Sequence, residues 1–229
     1  EEMVEYRTFF SIEEGLKEPQ AVQWLSLSQR ELKQVPKDLL KFPNLKVLDL
    51  SYNELTSLPS WFRKLKALQE LDLRSNQFVT VPLVLCNQAS LRKVDLWGNR
   101  LTAIPEEIGH LIELRELNIS ANDLDTLPAG FGKLEELSFL QIENNRFTAI
   151  PRVVCEVESL QRLHISRNPI SRFPNEIAQL VNLSELSIED NMLQPAQINK
   201  LNELLPNCKI YDRLPSLRDG GLRQLLNIH

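Results

Sequence analysis

The residues of this 229-residue sequence that could do chemistry are three histidines, three cysteines and a regularly spaced set of aspartates. His110, His164 and His229 share no zinc-ligand spacing such as C-x-x-C or H-E-x-x-H. The sequence also contains neither a G-x-x-x-x-G-K phosphate-binding loop nor a G-x-S-x-G nucleophile motif. We therefore predict no catalytic residue, no metal site and no cofactor.

The cysteines do not suggest a disulfide framework. Three cysteines, Cys86, Cys155 and Cys208, cannot all pair within one chain, and they are few for a chain of this length. A cysteine nucleophile needs a positioned base in a pocket, and no motif of the sequence indicates one. We interpret Cys86 and Cys155 as small apolar residues that fill space.

The aspartates are the more informative set. Asp49, Asp72 and Asp95 recur at intervals of 23 residues, with Arg74 and Lys93 close by in the sequence. If the chain coils with that period, the carboxylates lie about 5 Å apart and repel each other, so a basic partner residue or a cation would be favoured there. Alternatively, the aspartates form a solvated strip that the two bases partly neutralise. A calcium site needs six to eight oxygen ligands in shaped loops, which favours the solvated strip.

The 23-residue interval belongs to a repeat that covers most of the chain. The pattern L-x-x-L-x-L-x-x-N-x-L occurs eight times without an insertion, and its alternating apolar residues indicate a short, half-buried strand. The second half of each unit reads L-P-x-x-hydrophobic, which predicts one or two turns of α- or 3₁₀-helix after the proline. The eight units, called coils 1 to 8 below, start at Val22, Leu45, Leu68, Leu91, Leu114, Leu137, Leu160 and Leu183.

One such unit cannot bury its own apolar face, so successive units must stack around a continuous core. We predict an α/β fold: a right-handed, horseshoe-shaped solenoid with a parallel sheet on the concave face and short helical segments on the convex face. The helical segments should point one apolar residue each into the core. These residues are Leu39, Phe62, Leu85, Ile108, Phe131, Val154 and Ile177.

The two ends of the repeat array should be closed by helical caps. We predict an N-terminal cap over 1–21, eight repeats over 22–193 and a C-terminal cap over 194–229, all in one domain. Ser11 and Glu14 form an S-x-x-E capping box for a short N-terminal helix. A helix up to Pro206 and a degenerate strand near 208–211 should follow the last repeat. The apolar residues expected to help cover the two ends include Val4, Leu222, Leu225 and Leu226.

An asparagine follows the strand of almost every unit. An asparagine amide offers both donors and an acceptor, so it can satisfy the backbone groups of a buried turn and bridge neighbouring coils. We therefore predict a structural ladder of stacked amides. Its members are Asn53, Asn76, Asn99, Asn122, Asn145, Asn168 and Asn191.

Segments such as LKVLDLSYNELTSLPSWFRKL and LRELNISANDLDTLPAGFGKL resemble the 23-residue leucine-rich repeats of bacterial proteins, notably those expanded in pathogenic spirochaetes. They are also similar to repeats of some eukaryotic signalling scaffolds. The resemblance covers about Val22 to Leu193 and implies a leucine-rich repeat solenoid that acts as a non-catalytic binding module. Because the motif residues are structural, the resemblance brings no catalytic residue with it.

Function should therefore lie in the residues that face outward from the sheet, where large aromatic side chains resemble interface hot spots. We predict Trp97 as the central anchor of a protein contact, with Phe139, Tyr52 and His164 around it and the aspartate ladder, Arg74 and Lys93 alongside. The alternative is that these rings pack flat against their neighbours. Trp24, at the first coil, is expected to pack under the N-terminal cap.

The class of partner follows from charge and hydropathy. A formal net charge of −5 and the lack of a recognisable basic stripe argue against a nucleic-acid partner. No apolar run approaches the roughly 18 residues that a membrane span needs. We therefore expect a monomer that binds a protein of unknown identity on its concave face.

The compartment stays open at this stage. The acidic first twenty residues do not resemble a signal peptide, but the chain starts at Glu1 rather than at a methionine. If a signal peptide was removed before Glu1, the protein would be a secreted or surface factor that engages host proteins. Otherwise it would be cytoplasmic, and an intracellular scaffold or adaptor. A third alternative is a glycan receptor whose aromatic residues stack on sugar rings.

Overall fold

The structure, a computed structural model, describes residues 7–212. Within that range ten short strands form one parallel sheet, and each strand is hydrogen-bonded to the strands next to it in sequence. The strands are β1 (Thr8–Phe9), β2 (Trp24–Ser26), β3 (Val47–Asp49), β4 (Glu70–Asp72), β5 (Lys93–Asp95), β6 (Glu116–Asn118), β7 (Phe139–Gln141), β8 (Arg162–His164), β9 (Glu185–Ser187) and β10 (Lys209–Tyr211).

The register of the sheet explains why the repeat works. Leu48 pairs with Leu71, and Leu71 pairs with Val94, so each apolar residue lies beside its equivalent 23 residues further along. The side chains of these columns point to one face and the polar residues between them to the other. Leu71 and Ile119 are buried, at 1% and 0% exposure. The predicted leucine-rich solenoid is confirmed.

The segments opposite the sheet are short helices that begin directly after the repeated prolines. Six are 3₁₀-helices and one, α2 (Leu83–Cys86), is a single α-helical turn, all within the described residues. The apolar residue predicted to point inward from each segment is buried in all seven cases. The 3₁₀-helices are Lys37–Lys41, Ser60–Lys64, Glu106–His110, Ala129–Lys133, Arg152–Glu156, Asn175–Gln179.

The N-terminal end contains the predicted short helix, α1 (Ile12–Gly15). The Ser11 hydroxyl accepts a hydrogen bond from the Glu14 N–H at 3.1 Å, and the Glu14 carboxylate accepts one from the Phe10 N–H at 3.0 Å. The sequence did not predict β1, which adds a strand to the sheet edge and pairs with β2. Its Phe9 is fully buried and covers the first coil.

At the C-terminal end, a ten-residue helix, α3 (Pro195–Leu204), replaces the outer 3₁₀-helix of the earlier coils. Ile198 and Leu201 of α3 are buried against the last repeat. β10 then extends the sheet where a degenerate strand was predicted. Four residues assigned to the ends lie outside the described residues: Val4, Leu222, Leu225 and Leu226.

The outer segments of coils 4 and 5 pack unusually closely because two glycines remove the side chains between them. A Cβ on Gly130 would lie 2.0 Å from the backbone oxygen of Glu106, and one on Gly109 would lie 2.4 Å from the backbone oxygen of Gly130. The Glu106 carboxylate accepts hydrogen bonds from the N–H groups of Gly130 and Ala129. The backbones of these two outer segments therefore lie in direct contact.

Candidate functional site

The asparagine side chains hold the turn at the end of each strand of the repeats. In the middle of the array, the Asn122 amide donates to the carbonyls of Leu96 at 3.1 Å and Ile119 at 3.0 Å. Its side-chain oxygen accepts from the Leu101 N–H at 2.9 Å. Asn53 to Asn191 make the equivalent bonds in their own coils, so each amide joins the backbones of two successive coils.

The residue before each of these asparagines is in the left-handed region, a feature that the sequence analysis missed. Tyr52 and Arg167, for example, have φ angles of 53° and 56°. Only Gly98, Asn144 and Asp190 in this column are residue types that favour such a backbone. The chain therefore leaves the strand earlier than the sequence analysis assumed, and Tyr52 projects from a turn beyond the end of β3.

The column two residues before each asparagine is also less open than expected. Ser51, Ser120 and Ser166 are nearly buried, and their hydroxyls bond within or between coils. Trp97 occupies the same column and is too large to fit beneath the turn, so it remains 40% exposed. The backbone N–H of Trp97 donates to the Asp95 carboxylate at 2.9 Å. The predicted anchor is therefore fixed at its backbone and open at its ring.

Strands β2 to β5 surround a cavity of about 300 Å³ on the concave face. It brings together the three aspartates, Arg74 and Lys93, as their spacing suggested, and it adds an apolar wall that the sequence analysis did not assign. We call this cavity the acidic cleft. Its side chains belong to Trp24, Val47, Asp49, Glu70, Asp72, Arg74, Lys93 and Asp95.

Arg74 partly neutralises the centre of the acidic cleft. Its guanidinium lies 2.6 Å from the Asp72 carboxylate and 3.7 Å from that of Asp95. The hydrogen bond from Arg74 to Asp72 raises the pKa of the guanidinium, which therefore stays charged. Burial raises the pKa of Asp95 above its ordinary value, although the hydrogen bond from the Trp97 N–H opposes that shift. Asp72 and Asp95 thus share an ion pair with Arg74, whereas Asp49 accepts hydrogen bonds from the Ser26 and Ser51 hydroxyls.

The cleft nevertheless keeps an excess of negative charge. Its lining contains four acidic and two basic side chains. Lys93 forms its ion pair with Glu116, at 3.3 Å, and Glu116 lies outside the cleft. Glu70 has no ion pair or hydrogen-bond partner among the described side chains. Within residues 7–212, no group of three or more histidine, cysteine, aspartate or glutamate side chains is arranged to hold a metal ion.

Three aromatic side chains lie open on the N-terminal half of the concave face. Trp24, Tyr52 and Trp97 are 38%, 48% and 40% exposed. The expectation that Trp24 packs under the cap was wrong. Its register partner in β1 is Thr8, whose side chain is too small to cover an indole, so Trp24 forms part of the cleft wall instead.

Phe139 and His164 lie together on β7 and β8, further toward the C-terminus. Their rings meet edge to face with centroids 4.9 Å apart, and the Arg162 guanidinium lies 3.8 Å from the Phe139 centroid on the ring's face. His164 Nε2 lies 2.8 Å from the Glu185 carboxylate. We call Phe139, Arg162, His164 and Glu185 the phenylalanine cluster. The Phe139 ring and the His164 imidazole thus already make contacts within the chain, which leaves less of each for a partner.

The cysteines are positioned as space-filling residues. Cys86 and Cys155 are buried in the core, and burial raises the pKa of each thiol to about 12. Burial also raises the pKa of the Cys208 thiol, to about 11. A thiol with such a pKa is protonated at neutral pH, and the thiolate is the reactive form.

Comparison with known proteins identifies the family. Residues 20–78, 89–147 and 136–193 match a family model described as leucine rich repeat. The chain belongs to the leucine-rich repeat family. Proteins of this family are typically non-catalytic interaction modules. No curated protein sequence matches the chain significantly.

Solved structures of bacterial and plant proteins share the fold. A leucine-rich repeat protein of Leptospira interrogans is 26% identical with a TM-score of 0.57; the match covers 84% of this chain and 62% of that one. Internalin C2 of Listeria monocytogenes is 22% identical with a TM-score of 0.73, covering 85% and 82%. The leucine-rich repeat ectodomain of the Arabidopsis thaliana receptor kinase GASSHO1/SCHENGEN3 is 31% identical with a TM-score of 0.68, covering 86% and 25%. This chain therefore spans less than two thirds of the Leptospira protein's chain.

None of the helices within residues 7–212 combines the length and the apolar composition that crossing a bilayer requires.

Proposed function

We propose that the N-terminal half of the concave sheet binds a protein partner and that Trp97 is the main anchor. The observation that carries the proposal is the combination of three exposed aromatic rings with a charged cleft on one face. Aromatic side chains that become buried at the centre of an interface supply much of its binding energy. Trp97 is 40% exposed, and no aromatic or cation–π contact occupies its ring among the described residues.

The charge of the acidic cleft favours a partner with a basic side chain. An arginine or lysine entering the cleft would meet Glu70, which has no internal partner among the described residues, and the partly neutralised Asp95. The stem of such a side chain would pack on Trp24 and Val47, which form the apolar wall. Complementary charge of this kind contributes to specificity and to the association rate.

A structural relative supports the same use of the fold. The Arabidopsis ectodomain was solved in complex with CASPARIAN STRIP INTEGRITY FACTOR 2, so a leucine-rich repeat domain 31% identical to this chain holds a bound partner. The same protein contact would be used by a secreted or surface factor and by an intracellular adaptor, so the proposal does not depend on the compartment.

The test is affinity capture from an extract of the source organism, followed by calorimetric titration of the purified captured protein. We expect Trp97→Ala to weaken binding by about 2 kcal/mol or more, roughly 30-fold, while the melting temperature stays unchanged. Leu83→Ala is the matched control, because Leu83 is an exposed apolar residue on the convex face. It should leave the affinity unchanged.

Equal affinities for wild type and Trp97→Ala would contradict the choice of anchor. A glycan array probed with the same proteins separates the glycan alternative. Glycan binding that is lost in Trp97→Ala, with no protein captured, would replace the protein partner by a carbohydrate.

A further inference from the structure

The convex face of coils 1 and 2 carries two grooves that lie between the outer segments of these coils. One groove, with a volume of about 610 Å³, is lined by residues that include Pro36, Lys37, Pro59 and Trp61. The other, of about 320 Å³, runs past Leu40, Phe42, Lys64 and Lys66 at the opposite ends of the same helices. Each groove therefore has an apolar floor with lysine at its side.

The outer segments of coils 1 and 2 contain no glycine. Their sequences, PKDLLKFPN and PSWFRKLKA, place a side chain at every position between the two backbones. In coils 4 and 5, by contrast, Gly109 and Gly130 allow the backbones to touch. Grooves also lie between later outer segments, past Ile112 and Glu136 in coils 4 and 5 and past Leu127 and Phe173 in coils 5 to 7, so the grooves of coils 1 and 2 are distinguished by their side chains.

Trp61 adds an aromatic side chain to the lining of the first groove. The equivalent positions in the other coils hold no aromatic residue; they are Asp38, Val84, Glu107, Gly130, Val153 and Glu176. The indole is only partly buried and rests against the core, with its ring 6.3 Å from that of Phe62. It therefore presents one flank to the groove, where an apolar residue of a partner could pack.

The charge of this end differs in sign from the rest of the convex face. Outer segments 36–44 and 59–67 contain five basic residues and one acidic residue, whereas segments 105–113, 128–136, 151–159 and 174–182 contain two basic and eight acidic residues. Lys41 is paired with Asp38 at 2.6 Å. Four of the basic side chains have no hydrogen-bond or ion-pair partner among residues 7–212. They are Lys37, Arg63, Lys64 and Lys66.

These side chains form a local basic patch that the sequence analysis did not assign. Arg63, Lys64 and Lys66 are neighbours in the sequence of coil 2, and the stacking of coil 1 on coil 2 adds Lys37 to the same end of the convex face. We call the two grooves with Trp61 and these four basic residues the basic flank.

We propose that the basic flank is a second docking surface, for an acidic segment of a protein partner whose apolar residue packs beside Trp61. Unpaired basic side chains attract carboxylates, and the groove beside the indole supplies the contact that a purely electrostatic surface lacks. The site lies on the face opposite the acidic cleft and is complementary to a partner of opposite charge. One protein could therefore join two others.

The probe is an acetylated peptide of repeated Glu-Glu-Phe units, with a Gln-Gln-Phe peptide as its neutral counterpart. In a Trp24→Phe/Trp97→Phe background, Trp61 is the single tryptophan and its fluorescence reports binding directly. We expect a saturable change in emission with the acidic peptide and a much weaker one with the neutral peptide. Lys64→Glu/Lys66→Glu should weaken the affinity at least about tenfold, because close interfacial charge pairs couple strongly.

The matched control is Lys133→Glu/Lys200→Glu, which changes the net charge equally at exposed sites outside the flank. Its affinity for the peptide should stay within about twofold of wild type, since distant surface charges are screened by salt. In the otherwise wild-type chain, a fluorescently labelled peptide should bind Trp61→Ser more weakly and Trp97→Ala normally. The second result separates this proposal from the one for the concave face.

Three results would overturn the proposal. They are no saturable binding, an equal loss of peptide affinity in Lys64→Glu/Lys66→Glu and in Lys133→Glu/Lys200→Glu, or equal affinity for the acidic and neutral peptides. Vesicles containing phosphatidylserine and a DNA duplex are tested with the same variants. Binding of either one that depends on Lys64 and Lys66, without peptide binding, would assign the flank to a membrane or to nucleic acid instead.

Discussion

The two halves of the concave face are built on the same backbone but differ in what their side chains have left to offer. In the N-terminal half, Trp24 and Trp97 flank a cleft with surplus carboxylate, and their rings are open. In the C-terminal half, Phe139 is held between Arg162 and His164, and His164 is bonded to Glu185. The repeat thus fixes where a side chain projects, and only the neighbouring coils decide whether it is available.

The first prediction tests whether the supporting ladder is the same in both halves. Asn76 and Asn168 each donate to three carbonyls and accept from one N–H of the preceding coil, at similar distances. Replacing either by alanine leaves buried backbone groups unpaired, so each change should lower the free energy of unfolding by about 1–3 kcal/mol. Urea unfolding followed by circular dichroism measures both.

Glu203→Ala serves as the control, because Glu203 is an exposed residue of α3 with no ion pair among the described residues. Markedly unequal costs at positions 76 and 168 would mean that the halves differ in backbone support as well as in side chains.

The second prediction concerns the aromatic residues themselves. Phe139→Ala removes a cation–π contact and an edge-to-face contact, each of which contributes about 0.5–1 kcal/mol, and should therefore destabilise the fold by about 1–2 kcal/mol. Trp97→Ala should cost less than about 0.5 kcal/mol, because an exposed side chain away from such contacts contributes little. Chemical denaturation of the two variants gives the comparison directly. A larger cost for Trp97 would show that its ring is used within the fold.

The third and smallest effect is a pH dependence in the acidic cleft. Asp95 has neutral counterparts, Asn118 and Gln141, in the next two coils, so Asp95→Asn makes the first half resemble the second. Because burial raises the pKa of Asp95 in the folded state, protonation favours folding. The wild type should therefore gain stability relative to Asp95→Asn as the pH falls toward the ordinary carboxyl value of 3.8, and lose it again as the pH rises.

Unfolding free energies of both proteins at several pH values test this point. A difference that stays constant with pH, or that changes in the opposite direction, would mean that Arg74 compensates fully for the burial of Asp95.

Sequence patterns predicted the parts of the fold that depend on period and residue type. Ile108 and Phe131 were assigned inward because they recur behind a proline, and both are buried. The left-handed column was missed because tyrosine and arginine do not prefer that backbone; the asparagine beneath each turn imposes it. β1 was missed because a two-residue strand has too few residues to show a period.

The candidate site was less predictable, because availability depends on neighbours from other coils. The sequence indicates that Asp72, Asp95 and Arg74 share one surface, but not that the arginine bridges both acids. Trp24 was placed under the cap, although its partner Thr8 leaves it open. The basic flank was missed because Arg63, Lys64 and Lys66 are a short cluster in an acidic chain, and Lys37 joins them only when coil 1 stacks on coil 2.

The in-line pairing of every strand with its equivalent has a consequence for how such a protein can change. A whole coil is an exchangeable cassette: deleting or duplicating 23 residues from any internal position joins strand to strand without a shift in pairing. An event of this kind between β5 and β7 would move the acidic cleft relative to the phenylalanine cluster by one strand spacing, about 4.8 Å, and leave both intact. The distance between these two recognition elements can thus change in steps of one strand spacing, while the elements themselves stay unaltered.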